Sequence, residues 1–480
     1  MKKNLSFLVV ALLLSVQCWS QNRAIDSNLS PSQLQEDFEI LVKSLRENHP
    51  GLYDFAPKSE FDSLAALYQR AFSDSMKPSA FHVLVRKFVA NIGCGHTTAR
   101  PSQAWYAHVK ENPKQIPMHV IVEGDQLYVK KIFSSNVSEW KGYKIISIDG
   151  RSSSDILSDF KSITEHDGVG TVMVIRSVER LFQTYYTFLY GSKDTYTVEL
   201  EKENGESIEL VLKGKAALPY QVDWPIDMEV DLGINHVNFG ILHEPTEIAV
   251  IDMSSFPRED YKKFYRELFK ELAVYDSIPL VIDLRGNGGG YFPTGNLLLR
   301  YLMDEEFTMD FQKPRHFTKR NKHLSMDFAS KMTRFMFTTI PDRNKQDPDR
   351  NYQIKYKPIK KNHFDGDIYV LTDGLTFSTG SFVASKLKER RGAIVIGEET
   401  GGGAVGFNAV LSWSLTLPNS GVRMNLPLYH VDVLPEQKDD GRGVMPNISV
   451  ESDIEQRVFD VDVVLQKVLE IIQIESFKDI

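Results

Sequence analysis

The chain has 480 residues, of which 42% are hydrophobic, so it is long enough for about three ordinary domains and too apolar for a disordered protein. Its 56 Lys and Arg stand against 64 Asp and Glu, and the resulting net charge of −8 excludes the global basic field that nucleic-acid binding needs. The functional signal therefore lies in local motifs.

The first twenty residues are typical of a signal peptide. Two lysines precede an apolar run that is too short to cross a bilayer, and Cys18 and Ser20 suit the last positions before a signal-peptidase cut. We expect residues 1–20 to be removed and the protein to be exported, to the periplasm or the cell exterior, with no membrane span in the mature chain. Lipoprotein anchoring through Cys18 is a minor alternative, because Gln17 is bulky where a small residue is wanted.

Two cysteines occur, and removal of the signal peptide would leave only Cys94, so no intrachain disulfide is expected. Cys94 lies two residues before His96, a separation at which side chains rarely face each other. We therefore predict a buried structural thiol rather than a Cys–His nucleophile pair.

Three regions follow in chain order. In residues 21–113, apolar positions recur at intervals of three and four, and Pro31 and Pro78 stand where helices begin, which predicts an N-terminal helical region. In residues 114–216 the apolar period is two, which predicts a small β-rich domain.

Residues 217–480 alternate buried strands with amphipathic helices, which predicts an α/β core with a partly parallel sheet. Within this core, residues 304–365 are polar, basic and aromatic with weak periodicity, and we interpret them as an insertion or lid. A single helix with an apolar face from Ile454 through Val458 and Val461 to Ile472 is predicted to close the chain.

The stretch VIDLRGNGGG, Val281 to Gly290, is a buried strand followed by a glycine-rich turn. Open α/β sheets place their sites at such strand ends, and glycines let backbone N–H groups approach a ligand, as in an oxyanion hole or a phosphate cradle. The phosphate-binding glycine motifs are absent, which disfavours the second role. A tight turn that only needs positive φ is an equally good explanation for this stretch alone.

A second strand ends near Thr372, and Ser378 falls at the start of the helix that follows. Free N–H groups and the helix dipole favour negative charge at this place, which suits a nucleophile. For an isolated serine, however, the commoner role is that Ser378 or Thr376 simply caps the helix.

His96, in NIGCGHTTARP, is the candidate base for this serine, although a lone histidine beside glycine is usually a satisfied loop residue. Metal chemistry is disfavoured, because HEPTE at His243 lacks the second histidine of a zinc motif and no cysteine cluster exists. No metal or other cofactor is expected.

Together these motifs resemble a known family. DLRGNGGG, LTDGLTFSTGSF, IGEETGGG and DGRGVMPNISV occur in the order and approximate spacing of the C-terminal processing, or tail-specific, serine proteases. HPGLYDF and IGCGHTT resemble the branch related to the tricorn protease core, and YKIISIDGRSS resembles a PDZ-like domain. The resemblance implies an α/β and α+β multidomain fold: a helical region that carries His96, a PDZ-like domain at residues 114–216, and a protease core.

The resemblance also assigns site residues. Ser378 matches the family nucleophile, and the turn at Gly288 and Gly289 together with the Thr379 N–H would form the oxyanion hole. Gly403 stands where one branch has a lysine base, so the lysine dyad is absent, and His96 matches the histidine base of the tricorn-like branch.

The third catalytic member is the least defined. Asp440 matches a family glutamate but is one methylene shorter, and Asp439 or Glu436 could replace it. Gly95 stands where the tricorn core has a supporting serine. Thr379 stands where that core has an acidic residue that selects basic side chains, so no strong preference for Lys or Arg is expected.

The resemblance predicts a serine endopeptidase that cleaves peptides or protein tails through a Ser–His acyl-enzyme mechanism, with a peptide or unfolded protein as its partner. The PDZ-like domain would capture an extended peptide, with the peptide's C-terminus as one handle. Two alternatives stay open: a binding protein of the same fold with a decayed site, which the departures at Gly95 and Asp440 favour, and a scaffold that uses only its PDZ-like domain.

Overall fold

The computed structural model describes residues 27–133, 140–218, 230–275, 278–312, 321–327, 330–332 and 351–476. The predicted signal peptide, with Cys18, lies outside these ranges, as do residues 313–320, 328–329 and 333–350 of the predicted lid. No helix in the described ranges is both long and apolar enough to cross a membrane.

The N-terminal region is helical, as predicted. Its elements are α1 (Pro31–Asn48), α2 (Lys58–Ala71), α3 (Pro78–Ala90), β1 (Thr98–Arg100) and α4 (Gln103–Glu111). Ser30 caps α1 with a capping box, which explains why this helix begins at the proline. The apolar faces of α1 to α3 share one core cluster with Leu415 and Met424 from the end of the chain, so this region is docked on the core.

The middle domain follows. It contains β2 (Met118–Glu123), β3 (Gln126–Ile132), β4 (Lys144–Ile148), β5 (Arg151–Ser152), α5 (Ser153–Ser162), α6 (Val172–Tyr190), β6 (Thr195–Glu201) and β7 (Ser207–Lys213). The strands form an antiparallel sheet in the order β2-β3-β4-β6-β7. The 19-residue helix α6 packs Phe182 and Tyr186 against this sheet, and the period-two pattern did not predict it.

The core completes the chain. Its elements are β8 (Leu232–Ile234), β9 (Val237–Leu242), β10 (Ile248–Met253), α7 (Tyr261–Leu272), β11 (Leu280–Asp283), α8 (Phe292–Leu302), β12 (Phe307–Gln312), β13 (Leu324–Ser325), β14 (Asn351–Tyr356), β15 (Ile368–Thr372), α9 (Thr379–Arg391), β16 (Ile394–Gly397), β17 (Gly406–Thr416), β18 (Arg423–Asp432), β19 (Ile448–Ser449), α10 (Ile454–Val458) and α11 (Val463–Ser476).

The main core sheet has the order β19-β16-β15-β11-β10-β9-β8. Its five strands β10, β11, β15, β16 and β19 are parallel to one another. The predicted partly parallel sheet is therefore confirmed. Helices α7, α8 and α9 cover one face, and α11 covers the other through Val464, Val468 and Ile472. Burial on both faces explains why these strands are continuous apolar runs.

Two sequence-based expectations need correction. Residues 304–365 are not all loop, because β12 and β14 pair with each other and β12 pairs with β18 in a second sheet. The closing helix is two helices, α10 and α11, because the chain turns at Asp460, whose φ is 59°. In both cases pairing or backbone geometry overrides a local pattern.

Candidate active site

Two turns meet at one edge of the main sheet. Strands β11 and β15 are parallel neighbours, with Asp283 opposite Leu371. The glycine turn after β11 and the Ser378 loop after β15 therefore emerge side by side, at the carboxyl edge where such sheets place their sites.

Asp373 and Asn287 tie these turns together. Asp373 Oδ1 accepts the N–H groups of Gly286 at 2.9 Å and of Thr376 at 2.9 Å. The carbonyl of Asn287 accepts the Phe377 N–H at 2.8 Å. Burial raises the pKa of Asp373 to about 6. These bonds fix the glycine turn against the loop that presents Ser378.

Ser378 has an unusual backbone conformation, with φ 55° and ψ −119°. Positive φ is uncommon for a residue with a side chain and is a recurrent feature of functional sites. The side chain makes no capping hydrogen bond to α9. The simple helix-cap role is therefore not the one that Ser378 has here.

Gly289 allows this close approach. A Cβ atom on Gly289, whose φ is 98°, would lie 2.7 Å from Ser378 Cβ. Any larger residue would push the glycine turn away from the serine, which explains the glycine at this position.

His96 reaches Ser378 from the N-terminal region. Its Nε2 lies 3.0 Å from Ser378 Oγ, although 282 residues separate the two in the chain. The imidazole stacks on Phe377 at 4.5 Å and lies 5.8 Å from the ring of Phe407. Burial lowers the pKa of His96 to about 4, so the ring is neutral at neutral pH and can accept a proton.

None of the three candidate third members is bonded to His96. Its Nδ1 has no hydrogen-bond partner among the described residues. Asp440 is exposed and accepts the Arg442 N–H at 3.0 Å. The carboxylate of Asp439 accepts the Gly441 N–H at 2.8 Å, and Glu436 pairs with Arg390 on the surface.

Two predicted oxyanion donors are free. The N–H groups of Gly288 and Thr379 make no hydrogen bond within the described part of the chain, and Thr379 opens α9, where N–H groups lack helical partners. The Gly289 N–H instead donates to Asn287 Oδ1 at 2.8 Å. In this arrangement Gly289 contributes its small size, and its N–H is engaged elsewhere.

Ser378 and His96 open into a cleft of about 780 Å³. Most of the described lining is aromatic or aliphatic: Phe256, Tyr291, Phe292, Pro293, Phe311, Ile354, Tyr356, Phe407, Ala409, Val410 and Leu411. Arg258 also lines it and lies over the Tyr291 ring at 4.8 Å. The Thr379 hydroxyl donates to the Gly290 carbonyl at 3.2 Å, and Asp327 is an acidic residue of the described lining.

Sequence reasoning did not find Asn287, Asp373, Phe377 or Phe407. Asp373 had a local signal, an Asp-Gly pair directly after a strand, which is typical of a turn. The two aromatic rings had none, because their contact with His96 depends on tertiary packing.

Among the described residues, one group has the spacing of a metal site: Asp304, His363 and Asp365, whose ligand atoms lie within 4.8 Å of one another. Both aspartates are exposed, and Arg391 Nε lies 3.5 Å from Asp304. None of the three lines the cleft, so they supply nothing to Ser378 and His96.

A family model matches part of the sequence, and solved structures resemble the fold. Residues 247–450, which contain both turns and Ser378, match the model of peptidase family S41. The structure of mature CPAF complexed with lactacystin is similar over 89% of this chain and 95% of its own, with 14% identity and a TM-score of 0.63. The photosystem II D1 C-terminal processing protease is similar over 89% of this chain and 97% of its own, with 15% identity and a TM-score of 0.42. No curated protein matches the chain by sequence.

Proposed function

We propose that this chain, whose residues 247–450 match the model of peptidase family S41, is a serine endopeptidase that cleaves peptides or protein tails through an acyl-enzyme on Ser378. The observation that carries this proposal is the 3.0 Å contact between His96 Nε2 and Ser378 Oγ at the wall of a cleft. It also argues against the alternative of a binding protein with a decayed site, because that site would have no need to hold this pair in contact.

In the proposed mechanism, His96 takes the Ser378 proton as Oγ attacks the peptide carbonyl carbon. The N–H groups of Gly288 and Thr379 stabilise the oxyanion, and each such donor is worth about 2.7–4 kcal/mol in other enzymes. His96 then gives its proton to the departing amine. Water, deprotonated by the same imidazole, hydrolyses the acyl-enzyme and restores Ser378.

The imidazolium formed in this cycle lies between aromatic faces. Phe377 and Phe407 stack on the ring, and such contacts stabilise a cation by about 0.5–2 kcal/mol. Asp440 stays our proposed third member. Its contribution would pass through water, because no direct hydrogen bond joins it to His96 Nδ1.

The apolar lining supports substrates that enter as extended, largely apolar peptides. The neutral Thr379 supports the absence of a strong Lys or Arg preference. We also propose that the middle domain is PDZ-like and captures the peptide by strand addition. The apolar run in residues 1–20 supports export to the periplasm or exterior.

The test is mass spectrometry of a diverse peptide mixture incubated with the purified protein, with Ser378→Ala as the paired control. We expect new peptide termini with the wild type only, because loss of the nucleophile lowers kcat by on the order of 10⁶-fold in serine proteases. His96→Ala should lower the rate by about 10²- to 10⁴-fold. Identical products from wild type and Ser378→Ala would contradict the proposal and favour a binding protein.

A further inference from the structure

A carboxyl group holds the backbone directly before the catalytic histidine. Asp167, between α5 and α6 in the middle domain, accepts the Gly95 N–H on its Oδ1 at 2.7 Å. Its other oxygen, Oδ2, is buried and makes no hydrogen bond within the described ranges. Asp167 thus directs its one strong bond to the residue that precedes His96.

Residues on either side of Asp167 also form hydrogen bonds to the loop that contains His96. The Gly168 N–H donates to the Gly93 carbonyl at 3.0 Å. On the other side of His96, Glu165 Oε1 accepts the Ala99 N–H at 3.2 Å, and Glu165 forms a buried ion pair with Arg86. Residues 165–168 therefore form hydrogen bonds to the backbone on both sides of His96.

These hydrogen bonds matter because no acidic side chain among the described residues hydrogen-bonds directly to the imidazole. Its Nδ1 is unbonded among the described residues, so the ring is oriented by Phe377, by Phe407 and by the position of its own backbone. Misplacement by about 1 Å costs roughly 10²-fold in rate when it breaks a near-attack geometry.

We propose that Asp167 is a positioning residue for His96: its carboxyl holds the Gly95 N–H and thereby keeps His96 Nε2 within hydrogen-bond distance of Ser378 Oγ. This proposal rests on the proposed function.

The surroundings make this hold depend on pH. The titratable groups near the carboxyl are His430, Asp439, Asp54 and Asp432 from other elements, the Cys94 thiol, and Glu165 and His166 in its own segment. Burial raises the pKa of Asp167 to about 7, against the opposing effect of the Gly95 and Gly403 N–H groups. An ionised carboxylate accepts an N–H more strongly than a protonated one. The hydrogen bond from the Gly95 N–H to Asp167 should therefore strengthen as pH rises through about 7.

The experiment compares three variants of the full chain with wild type. Asp167→Ala removes the acceptor, and Asp167→Asn keeps one without the charge. Asp37→Ala is the matched control, because Asp37 is also buried and accepts backbone N–H groups, those of Asn419 and Ser420, but it belongs to α1 and joins that helix to the β17–β18 turn.

We expect Asp167→Ala to lower kcat by about 10- to 100-fold with little change in KM. Asp167→Asn should recover most of kcat and lose any rise in activity around pH 7. Asp37→Ala should lower the melting temperature and leave kcat per folded molecule unchanged. Wild-type kcat in Asp167→Ala, or an equal loss of kcat in Asp37→Ala, would overturn the proposal.

A readout that needs no turnover separates this proposal from the function itself. In protein labelled with ¹⁵N-histidine, the His96 imidazole signal should shift in Asp167→Ala and not in Asp37→Ala. If wild type cleaves nothing, the proposed function fails while this signal still tests Asp167. If Asp167→Ala does not fold, the pH profile of Asp167→Asn decides, and a profile identical to wild type would refute the role.

Discussion

At the scale of single residues, the site combines a serine in a strained backbone conformation with a histidine in an apolar setting. The His96 ring packs against Phe377 and Phe407, and burial lowers its pKa to about 4. Most histidine bases are supported by a carboxylate, which raises the imidazole pKa. Here burial dominates, and the base stays neutral over a wider range of pH.

The pH dependence of the rate should reflect this. We expect the loss of kcat/KM that is due to His96 to occur as pH drops through about 4, because the neutral imidazole is the active form, and this loss is separate from the change near pH 7 that Asp167 causes. A histidine in the unfolded chain titrates near 6.5, so between pH 6.5 and about 4 the unfolded state binds a proton that folded His96 does not. The free energy of unfolding therefore decreases as pH falls through this range. The measurement is kcat/KM from pH 3 to 9 in Asp167→Asn, which lacks the titration near pH 7, with His243→Gln in the same background as a control for an exposed imidazole. A fall centred near 6.5 would contradict it.

At the scale of elements, the middle domain directly contacts the loop that carries Ser378. A Cβ on Gly374 would lie 2.6 Å from Val172 Cγ1, and one on Gly401 would lie 3.1 Å from Met173 Cβ. The first turn of α6 is therefore packed against the loops on either side of Ser378. A ligand that moved α6 would also move these loops.

We expect the middle domain to bind peptide C-termini. A fluorescent peptide with a free C-terminal carboxylate should bind full-length Ser378→Ala more tightly than the same peptide with a C-terminal amide, because strand addition leaves the carboxylate to be held by backbone N–H groups. Fluorescence anisotropy measures both affinities on protein that cannot cleave the probe. Equal affinities would exclude recognition of the C-terminus.

Local patterns predicted the elements whose cause is local. The apolar runs of β11 and β15 and the glycines of Val281 to Gly290 predicted a parallel sheet with a site at its edge, and the sheet is confirmed. Patterns did not predict the pairing of β12 with β14, nor the reach of Asp167 to Gly95, which spans 72 residues. Those contacts depend on how distant segments dock, and no short window of sequence contains that information.

At the scale of the whole molecule, ion pairs join the middle domain to the core. Arg176 on α6 forms two hydrogen bonds to Glu398, which follows β16 and also accepts the Gly374 N–H at 3.3 Å. Arg176 also pairs with Glu179 at 2.9 Å. The nearby Arg176 charge holds the pKa of Glu398 below its usual range, despite burial.

Removal of Arg176 should therefore weaken the contact between the middle domain and the core. We expect Arg176→Met to lower the free energy of unfolding by about 3 kcal/mol, because it leaves partly buried carboxylates without a partner. Urea denaturation measures this loss. The control is Lys43→Met, which removes an exposed pair with Glu47 at 3.9 Å and should cost at most about 0.5 kcal/mol. An equal loss in the free energy of unfolding for Arg176→Met and Lys43→Met would show that Arg176 does not join the middle domain to the core. The loss should shrink at acid pH, since the Glu398 contribution disappears as pH falls through its lowered pKa.

The 282 residues between His96 and Ser378 also have a consequence for biosynthesis. A ribosome adds about 5–20 residues per second, so the histidine waits roughly 15–60 s for its serine to be made. If His96 and Ser378 have the proposed roles, the nascent chain during that interval contains the base but not yet the nucleophile. On the proposed function, cleavage requires that the segment carrying Ser378 has been synthesised and docked against the N-terminal region that carries His96.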